Sequence, residues 1–157
     1  MTGLPDWGVT SRPGWDAYFL GVATAVAARA DCTRRHIGAV LVGPDHRVVS
    51  TGYNGAPSGV PGCATAGACP RGQRTSAEVE PGSSYDTGPG ACIAVHAEAN
   101  ALLHGDATRY RDGTAYVTDE PCDGCYRLLW GGEIDRVVWP TGYRVRPWPR
   151  SERAIPF

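Results

Sequence analysis

The sequence contains no lysine, so all fifteen of its cationic side chains are arginine. Sixteen acidic residues bring the formal net charge to −1, which argues against a strongly basic surface for nucleic acid. No apolar run is long enough to span a bilayer, and residues 1–12 lack the basic and apolar regions of a secretory signal. We therefore expect a cytoplasmic protein that binds neither nucleic acid nor membrane.

The chain contains six cysteines. In a protein with no sign of an oxidising compartment, six cysteines favour metal binding or catalysis over disulfides. A length of 157 residues and a hydrophobic content of 42% are typical of a globular domain that buries a substantial core. The expected organisation is one domain over residues 1–157.

Hydrophobic periodicity predicts alternating helices and strands. Residues 15–30 have helical spacing, and 37–42 and 47–53 are predicted strands joined by turn residues as an antiparallel hairpin. The remaining predicted elements are a helix over 96–103, a strand over 114–118, a helix over 122–130 and a strand over 134–139. Two strand–helix–strand crossovers in this order favour a mixed sheet covered by helices.

Two segments lack this regularity. Glycine and proline are dense over residues 54–91, and a loop this long is usually functional or held together by a metal. The tail at about 141–157 is rich in proline and arginine, and proline disfavours a regular helix there. Either the sheet has four strands, or the tail packs as an extended arm, on a neighbouring subunit for example.

The motifs His96-Ala97-Glu98 and Pro121-Cys122-Asp123-Gly124-Cys125 carry the chemistry. One imidazole and two thiolates hold Zn²⁺ and leave a fourth position open for water, as catalytic zinc sites do. Zinc lowers the pKa of that water to about 7, and Glu98 is placed to carry protons. Together the two motifs form the H-x-E…P-C-x-x-C signature of zinc deaminases that act on nucleobases.

Each motif alone is weaker evidence for a catalytic zinc site than the two motifs together. An isolated C-x-x-C also fits a thioredoxin-like redox site, although that site needs no upstream histidine or glutamate. Both motifs lie at predicted helix starts, where the partial positive charge of the helix terminus is expected to lower thiol pKa values and favour zinc binding.

The four remaining cysteines flank the irregular segment: Cys32, Cys63, Cys69 and Cys92. Four thiolates match a closed structural zinc site, which would order a loop that has no core of its own. The alternative is four unconnected cysteines, some of them buried as small hydrophobic residues. We expect the second zinc, and hence a zinc-stapled loop at about 55–92.

The chain resembles the deoxycytidylate (dCMP) deaminase family of the cytidine deaminase superfamily from residue 15 to about 139. The most specific similarity is Gly52-Tyr53-Asn54-Gly55-Ala56-Pro57-Ser58-Gly59, which is similar to the family's G-Y-N-G-x-P-x-G segment. Residues 15–19 and 32–40 look like the family's opening helix and first-strand entry. The zinc motif alone would not distinguish this family from tRNA adenosine or riboflavin-pathway deaminases, whereas the 52–59 segment does.

The resemblance implies an α/β protein with the three-layer α/β/α cytidine deaminase-like fold and a mixed sheet of four or five strands. It implies that His96, Cys122 and Cys125 bind zinc, that Glu98 shuttles protons, and that Asn54 and Ala97 contact the substrate. It also implies a homo-oligomer, a hexamer or smaller, regulated by dCTP and dTTP with Mg²⁺. In relatives with matching cysteines, the equivalents of Cys32, Cys63, Cys69 and Cys92 look like a second zinc site.

The predicted reaction is hydrolytic deamination of dCMP to dUMP and ammonia, which supplies dTTP precursors. The substrate's 5′-phosphate calls for an arginine, and Arg35 is predicted to bind it, with Arg34 as its rival. The main alternative is a deaminase of another small cytosine nucleoside or modified nucleotide. A polynucleotide editor and a non-catalytic zinc-binding regulator are weaker alternatives, opposed by the near-zero net charge and by Glu98 respectively.

Overall fold

The computed structural model describes residues 11–148. The helices are α1 (Trp15–Ala27), α2 (Cys63–Ala66), α3 (Ala97–Leu103), α4 (Ala107–Tyr110) and α5 (Asp123–Gly131). The strands are β1 (Gly38–Val42), β2 (Val48–Tyr53), β3 (Thr114–Val117), β4 (Arg136–Trp139) and β5 (Gly142–Val145). Among the residues that the structure describes, no helix has the length and apolar character needed to cross a membrane.

One mixed sheet contains all five strands in the order β2-β1-β3-β4-β5. The strand β1 is buried along its whole length, as its unbroken apolar sequence predicts. It pairs antiparallel with β2, which confirms the predicted hairpin, and antiparallel with β3 on its other side. The crossover through α5 makes β4 parallel to β3.

Helices cover both faces of the sheet. On one face, Phe19 and Ala23 of α1 pack with Val40, Tyr116 and Val138. The opposite face carries α3 and α5, and its buried cluster is formed by Ala39, Leu41, Ala97, Ala101, Tyr110, Ala115, Val117, Tyr126, Leu129, Ile134 and Val137. The three-layer α/β/α arrangement is therefore confirmed.

The ends of some elements differ from those predicted. The first helix ends at Ala27 instead of residue 30, because the chain turns there. The backbone N–H of Asp31 then donates a hydrogen bond to the backbone carbonyl oxygen of Asn54. The short helices α2 and α4 were not predicted, since four residues are too few to show helical periodicity.

The predicted mixed sheet of four or five strands is confirmed, and β5, at the start of the tail, is its fifth strand. It pairs antiparallel with β4 from Trp139↔Gly142 to Arg136↔Val145. Three of its four residues are exposed, so the strand lacks the apolar alternation by which a half-buried strand is recognised. The rest of the predicted tail, 149–157, lies outside the described residues, and so do residues 1–10.

Close packing of β2 against α3 requires glycine at position 52. A Cβ there would lie 2.2 Å from the carbonyl oxygen of Ala97 and 2.4 Å from the backbone nitrogen of Ala101. We expect Gly52→Ala to lower the free energy of unfolding by roughly 1–3 kcal/mol, because α3 must move away from the sheet.

Urea denaturation measures this loss, and Gly131→Ala is the matched control. A Cβ at Gly131 would meet nothing within 4 Å, and alanine favours a helix over glycine by up to about 1 kcal/mol. Equal stability of the wild type and Gly52→Ala would mean that β2 and α3 are not in such close contact.

Candidate metal centre

The N-termini of α3 and α5 bring the two sequence motifs together. His96 is the N-cap residue of α3, and Cys122 is the N-cap residue of α5. The Cys122 sulfur accepts a hydrogen bond from the backbone N–H of Cys125 at 3.5 Å, which fixes the first turn of that helix. The predicted location of both motifs at helix starts is therefore confirmed.

The donor atoms of His96, Cys122 and Cys125 all lie within 4.8 Å of one another. The His96 Nδ1 atom is 3.7 Å from Cys122 Sγ and 3.4 Å from Cys125 Sγ. Tetrahedral zinc with ordinary Zn–S and Zn–N bonds would place such atoms about 3.6 Å apart. Both the spacing and the soft donor set therefore fit Zn²⁺, with three protein ligands and a fourth position for water or substrate.

Glu98 lies one residue beyond Ala97 in the first turn of α3 and is only 4% exposed. Burial raises the pKa of the Cys125 thiol, and the negative charges of Glu98 and Cys122 raise it further. This direction is opposite to the lowering expected from the helix terminus, because the buried sulfur is poorly solvated and lies near two negative groups. Zinc itself is the group that can hold this sulfur as a thiolate.

A cavity of about 710 Å³ surrounds these side chains. Its volume falls within the range of about 300–1,000 Å³ that is typical of small-molecule sites. Besides the three donors and Glu98, the lining includes the predicted contacts Asn54, Ala97, Arg34 and Arg35. The structure therefore brings every predicted substrate contact to the wall of one cavity.

Asn54 is buried, and its amide group is already engaged. Its Oδ1 accepts from the backbone N–H of Ile37 at 2.8 Å, and its Nδ2 donates to the carbonyl oxygen of Arg35 at 2.9 Å. These bonds fix the entry to β1 and leave one amide N–H and one lone pair for a ligand. Ala97 is fully buried at the start of α3.

The two arginines that precede β1, Arg34 and Arg35, differ in how free their side chains are to bind an anionic ligand. Arg34 donates through Nη1 to the carbonyl oxygens of Arg71 and Arg74, at 3.4 and 3.1 Å, so it holds the long loop. The Arg35 side chain is 71% exposed and forms an ion pair with Asp119 at 3.4 Å. Of the two, Arg35 is the one that can turn toward a bound anion.

Cys32, Cys63, Cys69 and Cys92 line the same cavity. The Sγ atoms of Cys69 and Cys92 are 3.9 Å apart, close to the separation of about 3.8 Å between two thiolates on one zinc. Within residues 11–148, the mutually close metal donors are His96, Cys122 and Cys125. None of the four other cysteines belongs to this cluster, so the structure does not bring all four together.

Two cavity-lining arginines, Arg71 and Arg127, were not singled out from the sequence. Arg71 lies in the glycine- and proline-rich segment, where no periodicity shows which residues are buried. The helical periodicity of α5 could have placed Arg127, because it follows Gly124 of the C-x-x-C motif by three residues and therefore lies on the same face of that helix.

Residues 13–141 match the family described as the cytidine and deoxycytidylate deaminase zinc-binding region. The deoxycytidylate deaminase of Mycobacterium phage D29 is 54% identical over 130 residues, which cover 83% of this chain and 97% of the phage protein. The deoxycytidylate deaminase of Schizosaccharomyces pombe is 38% identical over 135 residues, which cover 85% of this chain but 39% of that protein.

Solved structures show the same fold. A dCMP deaminase from the cyanophage S-TIM5, in complex with dCMP and dUMP, has a TM-score of 0.58 and 24% identity over 82% of each chain. Cytidine deaminase from Mycobacterium leprae has a TM-score of 0.51 and 18% identity, covering 86% of this chain and 95% of that one. The structural likenesses show the shared fold, and the sequence matches show that the chain belongs to the dCMP deaminase family of the cytidine deaminase superfamily.

Proposed function

We propose that this chain is a zinc-dependent hydrolase that converts dCMP and water to dUMP and ammonia, and so supplies dTTP precursors. The observation that carries the proposal is the convergence of His96, Cys122 and Cys125 beside the buried Glu98. The 54% identity to a phage deoxycytidylate deaminase supports dCMP as the substrate.

In this proposal His96, Cys122 and Cys125 hold Zn²⁺, which lowers the pKa of a bound water to about 7. The water oxygen bonds to C4 of the cytosine ring while Glu98 takes one proton from that water and delivers it to N3. Glu98 then takes the remaining proton from the hydroxyl group on C4 and delivers it to the amino group. The C4–N bond breaks as the C4 carbonyl forms, and ammonia leaves. Burial of Glu98 keeps bulk water from competing for these protons.

Ammonia release from dCMP, CMP, deoxycytidine and dCTP tests the substrate. Turnover confined to dCMP would support the proposal and exclude an enzyme for free nucleosides. Zinc-loaded protein that is inactive on all four compounds would contradict it and favour the alternative of a modified cytosine nucleotide.

A second, structural zinc at Cys32, Cys63, Cys69 and Cys92 is part of the proposal. Two of these sulfurs accept backbone hydrogen bonds, Cys32 from Arg34 and Cys92 from Ala94, both at 3.4 Å. Burial raises the pKa of Cys69, but the nearby backbone N–H groups of Ile93, Gly72 and Arg71 and the Cys92 thiol lower it by a larger amount, so the net pKa is below its usual value. Such N–H donors stabilise thiolate ligands.

The fourth cysteine, Cys63, contacts the segment that contains Cys32. Its sulfur lies 3.3 Å from the Thr33 hydroxyl oxygen. Its helix α2 is fixed by Asp31, which accepts from the backbone N–H groups of Ala64 and Thr65 at 2.7 and 3.0 Å. The four sulfurs thus belong to segments that already contact one another, which supports one shared metal.

We expect Cys69→Ser to lower the zinc content by one equivalent per chain while the catalytic ligands keep theirs, because a neutral hydroxyl is a poor zinc ligand. Mass spectrometry of the intact native protein measures the zinc content, and limited proteolysis should show faster cleavage within residues 55–92. Unchanged zinc content would overturn the second site.

Other parts of the proposal concern assembly and location. Exposed apolar side chains on α3, α5 and β5, such as Leu103, Leu128 and Tyr143, support a homo-oligomer, a hexamer or smaller. Regulation by dCTP and dTTP with Mg²⁺ is proposed from the family resemblance alone.

The unpaired state of all six cysteines supports a cytoplasmic location. Sedimentation with and without dCTP tests assembly and nucleotide binding.

A further inference from the structure

Arg71 is a buried cation on the wall of the cavity. It is 5% exposed, and within residues 11–148 it is the one arginine among the buried polar and charged side chains. The other charged member of that group, Glu98, lines the same cavity and has the opposite sign. One cavity therefore contains a buried carboxylate beside the metal donors and a buried guanidinium elsewhere on its wall.

The charge of Arg71 has no carboxylate partner among the ion pairs of the described residues. Its hydrogen bonds go to neutral groups, namely the carbonyl oxygens of Ser84 and Gly90, both at 3.1 Å, and the Ser83 hydroxyl at 3.3 Å. Its buried Nε has no partner. A buried charge without a counterion is unfavourable, so this position suits an anionic ligand.

The same contacts hold the guanidinium in place before any ligand arrives. Its Cζ atom lies 3.9 Å from the ring centroid of Tyr85, while Nη1 is fixed by two carbonyl groups. A fixed guanidinium loses little conformational entropy when it binds a phosphate through two N–H groups. Arg35, by contrast, is mostly exposed and paired with Asp119, and Arg34 is engaged by backbone carbonyls.

We infer that Arg71 binds the 5′-phosphate of the substrate and thereby makes the enzyme select a nucleotide over a nucleoside. This inference rests on the proposed function, because it assigns a role within the same cavity. Arg35 at the exposed rim is then a secondary contact. Glu98 at the metal handles the base, and Arg71 recognises the anionic end of the molecule.

The test compares binding of dUMP and deoxyuridine to the zinc-loaded wild type and to Arg71→Ala and Arg71→Lys, by titration calorimetry. We expect Arg71→Ala to weaken dUMP binding on the order of 10- to 100-fold and to leave deoxyuridine binding unchanged. Arg71→Lys keeps the charge and should recover part of the loss. Arg74→Ala is the matched control, since Arg74 lies three residues away and does not line the cavity.

Zinc content is measured on every variant, because Arg71 also holds the 83–90 segment near two cysteines of the proposed second site. If Arg71→Ala retains its zinc and weakens dUMP and deoxyuridine equally, or if only Arg35→Ala reduces the preference for dUMP, the inference is wrong. If Arg71→Ala loses zinc, the Arg71→Lys variant is compared with the wild type instead. An Arg71→Lys protein that prefers dUMP over deoxyuridine as strongly as the wild type does would overturn the inference. Failure of the proposed function is distinct, because the wild type would then not deaminate dCMP.

Discussion

Glu98→Gln is expected to lower kcat for dCMP by roughly 10²- to 10⁴-fold while the protein keeps its fold and zinc. The amide is nearly the same size as the carboxylate, so packing at this buried position is preserved. It cannot accept a proton from water or return one to the leaving amino group. The loss should therefore appear in kcat more than in KM, since binding of the base does not require that proton transfer.

Steady-state kinetics with zinc content measured on the same preparations checks this expectation. Glu80→Gln, an exposed glutamate outside the cavity lining, is the control for the substitution itself. A zinc-loaded Glu98→Gln protein with the wild-type rate would show that another group moves the protons.

Removal of a metal ligand should have a larger effect than removal of the proton carrier. We expect His96→Ala to lose one zinc equivalent per chain and to reduce turnover of dCMP by more than about 10⁴-fold, because no water is then activated and Glu98 has no nucleophile to deprotonate. Added zinc should not restore activity, since only two of the three mutually close donors remain.

His104→Ala is the matched control, because His104 lies exposed at the other end of the same helix. It should keep both zinc and activity. Full zinc content in His96→Ala, with turnover near that of the wild type, would place the catalytic metal elsewhere.

The candidate metal centre could be predicted from the sequence because its groups depend on short-range rules. His96 and Glu98 are two residues apart, Cys122 and Cys125 are three apart, and both pairs lie where a helix begins. Helix starts and strand periodicity are local properties, so the convergence of α3 and α5 on one face of the sheet follows from a few packing rules.

The long loop depends on contacts that no local pattern reveals. Arg34 donates to the carbonyl oxygen of Arg74, forty residues away in the chain, and Thr33 contacts Cys63, thirty residues away. Arg71 is buried by such contacts in a stretch without periodicity, so its location could not be predicted. The strand β5 could not be located by periodicity for a different reason, because an exposed edge strand carries little apolar alternation. The number of strands was therefore predicted only as four or five.

The most direct measurement follows both products of the proposed reaction in one sample. Zinc-loaded protein is incubated with dCMP, dUMP is measured by chromatography, and ammonia is measured by a coupled assay. We expect dUMP and ammonia to appear at equal rates with the wild type and to be nearly absent with Glu98→Gln. Folded, zinc-loaded wild-type protein that produces neither compound from dCMP would contradict the proposed function.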